Sequence, residues 1–392
     1  MKLNKTFGRV ATTLVATAML ASLAAPVYAE PGSSPVNTDK VEDGIAQGDD
    51  LSTITLTKKL VLPDDVPTPD DDFTFTVKPA QNATGNIVTD GETFTVFSAP
   101  ESAIGSGTAS VNGGTREHTD NYVPASGTAV ADSDVMDLTL TITLPDADAI
   151  AAVHGAGIYK YDINETLTEA QKQAGYIDMT NGLDMYLIVE RTSNGQITSD
   201  DAYKISGVIV YPDGATSGDK ADVYVNYYKL DGSGTRQVGD LSFTKEITGA
   251  MGNKSDTFKF TVTGDGIVGN TAYTVQIGDA AKTTQPAENG VLTFEGVGNG
   301  KTITIFGIDD GTYTVTETNP GSYDVTYSTD TDADTDGAQV SVNVNRTTTL
   351  KVTNNREAVS PTGLVMDIAP YVLLVVVAAA GCFVFLRKRR ED

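Results

Sequence analysis

Three short segments recur in the same order in the two halves of the chain, and each alternates apolar with polar residues. The first copy reads Ile54-Thr-Leu56-Thr-Lys58, then Tyr161-Asp-Ile163-Asn-Glu165, then Tyr224-Val-Asn226. The second reads Leu241-Ser-Phe243-Thr-Lys245, Tyr313-Thr-Val315-Thr-Glu317 and Val352-Thr-Asn354. Each lysine segment is followed by a phenylalanine-rich run, Asp72-Phe73-Thr-Phe75-Thr-Val77 and Asp256-Thr-Phe258-Lys-Phe260-Thr-Val262. A period of two is that of a β-strand, so the repeat commits the chain to β-structure and to one fold used twice.

Strand parity then places charge where it is costly. Lys58 shares a face with Leu56 and Leu60, and Lys245 with Phe243 and Ile247. Glu165 lies with Tyr161 and Ile163, Glu317 with Tyr313 and Val315, and Asn354 with Leu350 and Val352. Apolar neighbours imply burial, and an unpaired buried charge is strongly unfavourable. Each half is therefore expected to point a Lys, a Glu and an Asn into its core, with the adjacent Lys59 and Asn355 facing outward. Burial disfavours both charged forms, favouring a nucleophilic amine and a protonated acid. Such an amine can attack the asparagine side-chain carbonyl while the acid shuttles protons and ammonia leaves. The alternative is a Lys–Glu salt bridge beside a structural asparagine; two sets in the same order on the same faces count against it.

Similar alternation marks Ile54 to Leu60, Phe73 to Val77, Asp137 to Leu144, Leu187 to Glu190, Val223 to Tyr228, Phe258 to Val262 and Thr302 to Phe306, with one brief helical stretch at Leu167 to Ala174. Glycine, aspartate and asparagine separate the runs. The expected fold is all-β, with two tandem Ig-like β-sandwich domains at 51–235 and 236–357. Residues 30–50 are polar and without periodicity, and read as a flexible leader.

The ends carry targeting signals. Lys2, Lys5 and Arg9 precede an apolar stretch, and Val27-Tyr28-Ala29 is a small-x-small cleavage pattern, so residues 1–29 read as a secretory signal peptide. At the other end, Val359-Ser360-Pro361-Thr362-Gly363 precedes an apolar run over 364–386 and the basic cluster Arg387-Lys388-Arg389-Arg390. A run of that length crosses a bilayer, and the basic cluster holds its end in the cytoplasm.

These motifs carry two resemblances. The pentapeptide, apolar helix and basic tail of 358–392 resemble a Gram-positive sortase sorting signal, although Val359 and Ser360 depart from the commonest Leu-Pro-x-Thr-Gly form. The Lys, Tyr-x-x-x-Glu and x-Asn segments resemble the streptococcal-type pilin isopeptide domains, which are CnaB-like. The second resemblance implies covalent Lys58–Asn226 and Lys245–Asn354 bonds, with Glu165 and Glu317 as their catalytic helpers. Together they imply a backbone subunit of a covalent surface pilus, secreted, held transiently by its membrane segment and anchored to the cell wall. The implied partners are a sortase, further copies of the chain, peptidoglycan, minor pilins and host surface ligands. In the family a lysine accepts the preceding subunit's threonine, often within a VYPK-type motif; here Val210-Tyr211-Pro212 is followed by Asp213. Lys220, six positions before Asn226 and preceded by turn-like residues, is the expected acceptor and is expected to be exposed. A wall-anchored adhesin or minor pilin that never polymerises is the alternative.

Composition narrows the other classes. With 27 basic against 52 acidic residues and a net charge of −25, the chain is unsuited to nucleic acid or an anionic membrane surface. The single cysteine, Cys382, lies in the apolar C-terminal run, so a cysteine nucleophile or cysteine metal site is excluded from the ectodomain. Gly264, Gly266 and Gly269 satisfy G-x-G-x-x-G, but the segment Thr271 to Ile277 alternates like a strand and offers a pyrophosphate no helix N-terminus. Asp332, Asp334, Asp336 and Gly337 open like a calcium loop, yet its twelfth position is Asn343 instead of a bidentate Glu. His118 and His154 stand in unrelated settings. No cofactor, no metal and no turnover chemistry are expected.

Overall fold

The lysine strand of the first half, Thr53–Pro63, pairs with three other strands. It runs antiparallel to Val130–Thr143 along its whole length on one side. On the other it meets Thr38–Glu42 at Thr55, then lies parallel to the asparagine strand Val223–Tyr228 from Thr57 to Val61. The structure, a computed structural model, describes residues 38–81, 83, 85–89, 92–123, 129–192, 202–329, 338–343, 345–358, 371–380 and 383. The expected signal peptide, the start of the leader, Val359–Gly363 and the aspartates at 332, 334 and 336 lie outside the described residues.

The fold is all-β, with two tandem Ig-like sandwich domains. In the first, strands bridge the two layers at their edges, and one hydrogen-bonded sheet of fourteen strands encloses the core. Leu56, Leu60, Phe73, Phe75, Ile142 and Tyr161 meet there. In the second, a six-stranded sheet faces a four-stranded one. Phe243, Ile305 and Leu350 pack from one sheet against Phe260, Leu292 and Val315 of the other.

The leader expectation is corrected. Thr38–Glu42 and Ile45–Gln47 form a hairpin, and the second of these strands pairs with Tyr203–Pro212. The turn is Asp43-Gly44 with φ of 49° and 70°, the two-residue type whose twist suits a hairpin. Val41 and Ala46 are buried by it. With so few apolar residues the hairpin cannot show periodicity, and its stability comes from the sheet it completes. Gly44 is also demanded by space, because a Cβ there would lie 2.3 Å from the Lys220 Cβ.

A second departure is the strand Leu183–Arg191, whose residues 183–189 are buried on both faces. The hairpin Gly85–Thr89 and Glu92–Phe97 covers its outer side, where Ile87, Phe94 and Val96 pack on Tyr186 and Ile188. The short helix Glu169–Ala174 sits where expected. Thr168 and Gln171 form a capping box, Gly175 closes the helix at φ 101°, and Gln171 Nε2 donates to Asp72 O at 3.0 Å. That bond ties the segment after the glutamate strand, Gly157–Glu165, to the start of the phenylalanine strand, Asp72–Pro79.

At the junction, Lys229 Nζ lies 2.6 Å from Asp309 Oδ1, and Lys282 pairs with Asp65. The cleft between the domains is lined by Asp64, Arg116, His118 and Asp134 among others. Within it Arg116 pairs with Asp134 at 2.6 Å and His118 with Asp134 at 3.1 Å. At the C-terminus, residues 371–380 are helical and exposed; among the described residues no helix is long and apolar enough to cross a membrane.

Candidate functional site

The inward lysines of the repeat sit in equivalent apolar boxes. Lys58 and Lys245 are both 0% exposed. Lys58 Nζ is 4.4 Å from the Phe73 ring centroid, 5.3 Å from Phe75 and 5.0 Å from Tyr224. Lys245 Nζ is 4.3 Å from Phe258 and 5.8 Å from Phe260. The phenylalanine strands thus wall the amines, and their ring faces are the main compensation an apolar site offers a cation.

Register brings the other two groups to each amine. Lys58 pairs with Tyr224 and Leu60 with Asn226; Lys245 pairs with Val352 and Ile247 with Asn354. In both parallel pairs the asparagine lies one same-face step beyond its lysine. Opposite Phe75 stands Glu165, and opposite Phe260 stands Glu317. Side chains of both Lys–Glu pairs are fully shielded from solvent, each with an N–O separation of 2.8 Å.

The second site shows what such a trio can do. Glu317 accepts from Lys245 Nζ through Oε2 at 2.8 Å and from Asn354 Nδ2 through Oε1 at 2.6 Å. One carboxyl thus spans the potential nucleophile and the potential leaving nitrogen, while Asn354 Oδ1 is buried with no partner. The first site is less satisfied. Lys58 Nζ, both Glu165 oxygens and both polar atoms of the Asn226 side chain are buried without a hydrogen bond of good geometry. Lys58 and Glu165 still face each other as an ion pair, so the Asn226 side chain is the unsatisfied part of this trio, at about 1–3 kcal/mol for each buried polar group left without a partner.

Electrostatics point the same way. Burial pushes the Lys58 and Lys245 amines below their ordinary value of 10.5, against the pull of their glutamates. Burial likewise raises the Glu165 carboxyl above its ordinary 4.5, with Lys58 opposing the shift. Neutral amine and protonated acid are the forms an acyl transfer requires. Another buried carboxylate, Asp184, differs: its partner Lys160 reaches solvent, and Gly214 N also donates to it at 3.0 Å.

The structure brings together Lys58, Glu165 and Asn226, and separately Lys245, Glu317 and Asn354. Lys59 faces outward to Asp137 at 2.6 Å, and Asn355 Oδ1 accepts from Thr248 Oγ1 at 3.1 Å. Of the glycines of the G-x-G-x-x-G motif, Gly264 ends the strand Thr257–Gly264, and Gly266 and Gly269 lie in the turn before Ala272–Ile277. Lys220 departs from expectation: it is half-buried, packed over Gly44 of the N-terminal hairpin. Three participants were not read as such from the sequence. Asp178 lies across from Asn226 in the sheet, the Tyr224 hydroxyl accepts from Glu165 N at 3.3 Å, and the Tyr327 hydroxyl accepts from Glu317 N at 3.0 Å. Tyr224 was visible in its motif, but only the register could reveal Asp178 and Tyr327.

A family described as a domain of unknown function (DUF7601) matches residues 239–356. No curated protein matches the chain. Among solved structures, the chain is similar to the major pilin protein T3.2 from Streptococcus pyogenes serotype GAS13637, with 17% identity over 80% of this chain and 99% of that one, at a TM-score of 0.49. It is also similar to the major pilin protein T-13 from serotype GAS131465 of the same organism, with 17% identity over 80% and 99% of the two chains and a TM-score of 0.46. Another major pilin from Streptococcus pyogenes aligns at 17% identity over 78% and 99%, with a TM-score of 0.42.

Proposed function

We propose that this chain is a structural subunit of a covalent surface fibre, a backbone pilin whose two domains are each locked by an internal Lys–Asn amide. The observation that carries the proposal is the duplicated buried trio, with the same same-face step from lysine to asparagine in both parallel strand pairs. In each domain the reaction happens once. A proton passes from the ammonium to the glutamate, Nζ attacks the asparagine Cγ, and the new C–N bond forms as Cγ–Nδ2 breaks. The glutamate gives its proton to the departing nitrogen, which leaves as ammonia, and takes the second proton of the attacking amine, so the carboxyl ends as a neutral acid beside the new amide. Glu317, bonded to both nitrogens, stands where that transfer needs it. Condensation also removes a buried ammonium and a buried amide N–H donor set, so the product suits the apolar box better than the reactants.

In this reading the chain is exported, cut between Thr362 and Gly363 by a sortase, and joined through Thr362 to Lys220 of the next copy or to peptidoglycan. A pull entering at Lys220 passes through Asn226 to Lys245, crosses the second amide to Asn354 and leaves at Thr362, so neither sandwich lies unprotected in the path. Lys220 leads directly into the asparagine strand, which supports this route, while its packing over Gly44 requires the N-terminal hairpin to leave the amine accessible. Minor pilins and host ligands would meet the finished fibre.

Co-expression with the cognate sortase tests the assembly. The wild-type chain is expected to give ladders of monomer mass on denaturing gels of wall extracts. Lys220→Ala is expected to abolish the ladders while leaving both internal amides in place. Ladders that persist in that variant, joined through Thr362, would overturn the acceptor assignment; a wild-type chain that stays monomeric on the wall would favour a singly anchored adhesin.

A further inference from the structure

We propose that Asp178 and Tyr224 form a positioning pair that orients Glu165 and Asn226 for the first-domain condensation, a device the second domain builds differently. The proposal rests on the crosslinking reading above.

The pair is a chain of hydrogen bonds reaching both reacting strands. Glu165 is the last residue of its strand, and its N–H donates to the Tyr224 hydroxyl at 3.3 Å. That hydroxyl in turn donates to Asp178 Oδ2 at 2.7 Å. Asp178 Oδ1 accepts from Thr180 N at 2.9 Å and Asn181 N at 3.1 Å, so the carboxylate is fixed at the head of a turn. The same turn grips the residue between Tyr224 and Asn226: Val225 N donates to Thr180 Oγ1 at 2.7 Å, and Met179 N to Val225 O at 3.0 Å. One loop therefore holds the end of the glutamate strand and the middle of the asparagine strand in a single frame.

The second domain shares only part of this arrangement. Glu317 N donates to the Tyr327 hydroxyl at 3.0 Å, from the strand on the far side of the asparagine strand. Val325 occupies the position across from Asn354 that Asp178 holds across from Asn226. A hydroxyl beneath the glutamate is common to both domains, and the carboxylate behind it belongs to the first.

That carboxylate has a second effect, because its charge faces the reacting pair. The ionisable groups that meet in the first site are Lys58 from the lysine strand, Glu165 from the glutamate strand, Tyr224 from the asparagine strand and Asp178 from the strand Tyr176–Asp178. Negative charge at Asp178 favours the protonated form of both Lys58 and Glu165. Removing it lets Glu165 lose its proton at lower pH and Lys58 become neutral at lower pH. Both limbs of a bell-shaped rate profile must then move towards acid together.

The test follows crosslinking in the full chain as it is made. Protein from cell-free synthesis is sampled over time at a series of pH values, quenched in denaturant and digested, and the two crosslinked peptides are counted by mass spectrometry. The Lys245–Asn354 amide serves as the internal control. Asp178→Asn is expected to slow the Lys58–Asn226 bond by roughly tenfold at neutral pH, the factor one charged hydrogen bond supports, and to shift its profile towards acid. Tyr224→Phe is expected to slow the same bond without that shift, since the charge remains. In both variants the second-domain bond forms at its usual rate. An unchanged rate for Asp178→Asn, or a slower rate with an unmoved profile, overturns the proposal. Absence of the Lys58–Asn226 amide in the wild type overturns the crosslinking reading itself and this inference with it.

Discussion

The double substitution Lys245→Met with Glu317→Gln is expected to destabilise the second domain by about 5 kcal/mol, the chain-entropy value for a crosslink closing a loop of about 110 residues. For a domain of this size that is a fall of roughly 20 °C in its melting temperature. The pair is chosen because it separates the two accounts of the buried lysine. Methionine fits the box of Phe258 and Phe260, and glutamine keeps an acceptor for Asn354 Nδ2 where Glu317 now receives it at 2.6 Å. Were Lys245 and Glu317 only an ion pair, replacing both charges by neutral groups of similar volume would be neutral or stabilising by about 1–4 kcal/mol. Differential scanning calorimetry of the ectodomain therefore decides by the sign of the change.

Glu165→Ala is expected to have a larger effect in the first domain. It removes the proton shuttle, so the amide does not form, and the loop of about 170 residues goes uncrosslinked at a further cost of about 5 kcal/mol. It also leaves Lys58 buried without a counter-charge, worth about 3–5 kcal/mol more. Together these approach the whole stability of an ordinary domain, about 5–15 kcal/mol. The first domain should be open to trypsin under conditions in which the second stays folded. Its residual stability should also depend on pH. Burial lowers the Lys58 pKa below its ordinary 10.5, so between those values the unfolded chain carries a proton that the folded chain lacks. Stability must then rise with pH across that window, whereas an amide nitrogen in the wild type has nothing there to titrate. Chemical denaturation of the variant between neutral pH and 10.5 measures the slope. A variant that melts with the wild type would remove Glu165 from the chemistry.

Much of the site was legible because strand parity is a strict rule. Once Lys58 lay two residues from both Leu56 and Leu60, its side was settled, and the same count turned Lys59 and Asn355 outward. Legibility failed where burial comes from something distant in sequence. Residues 183–189 are apolar or buried on both faces because the hairpin over Gly85–Phe97 covers them, and alternation cannot announce a cover that lies a hundred residues away. The N-terminal hairpin is different, since Asp43-Gly44 is a local turn signal, but the strands flanking it are too short and too polar to show alternation. Asp178 and Tyr327 could not be found by either route. Their place beside the glutamates depends on which strands adjoin the asparagine strands, and no local pattern encodes that.

Lys220 carries the same lesson in reverse. Its turn-rich surroundings argued for exposure, yet the close approach of Gly44 covers part of it. The hairpin of Thr38–Glu42 and Ile45–Gln47, within the segment expected to be a leader, is what covers it.

The intact mass of the purified ectodomain reports both internal amides at once. Two internal amides predict a mass short of the sequence by two molecules of ammonia, with Glu165→Ala and Glu317→Ala each restoring one and the crosslinked peptides mapping to Lys58–Asn226 and Lys245–Asn354. A wild-type chain at its full sequence mass would contradict the account, leaving two buried Lys–Glu pairs beside two asparagines and no covalent lock in either domain.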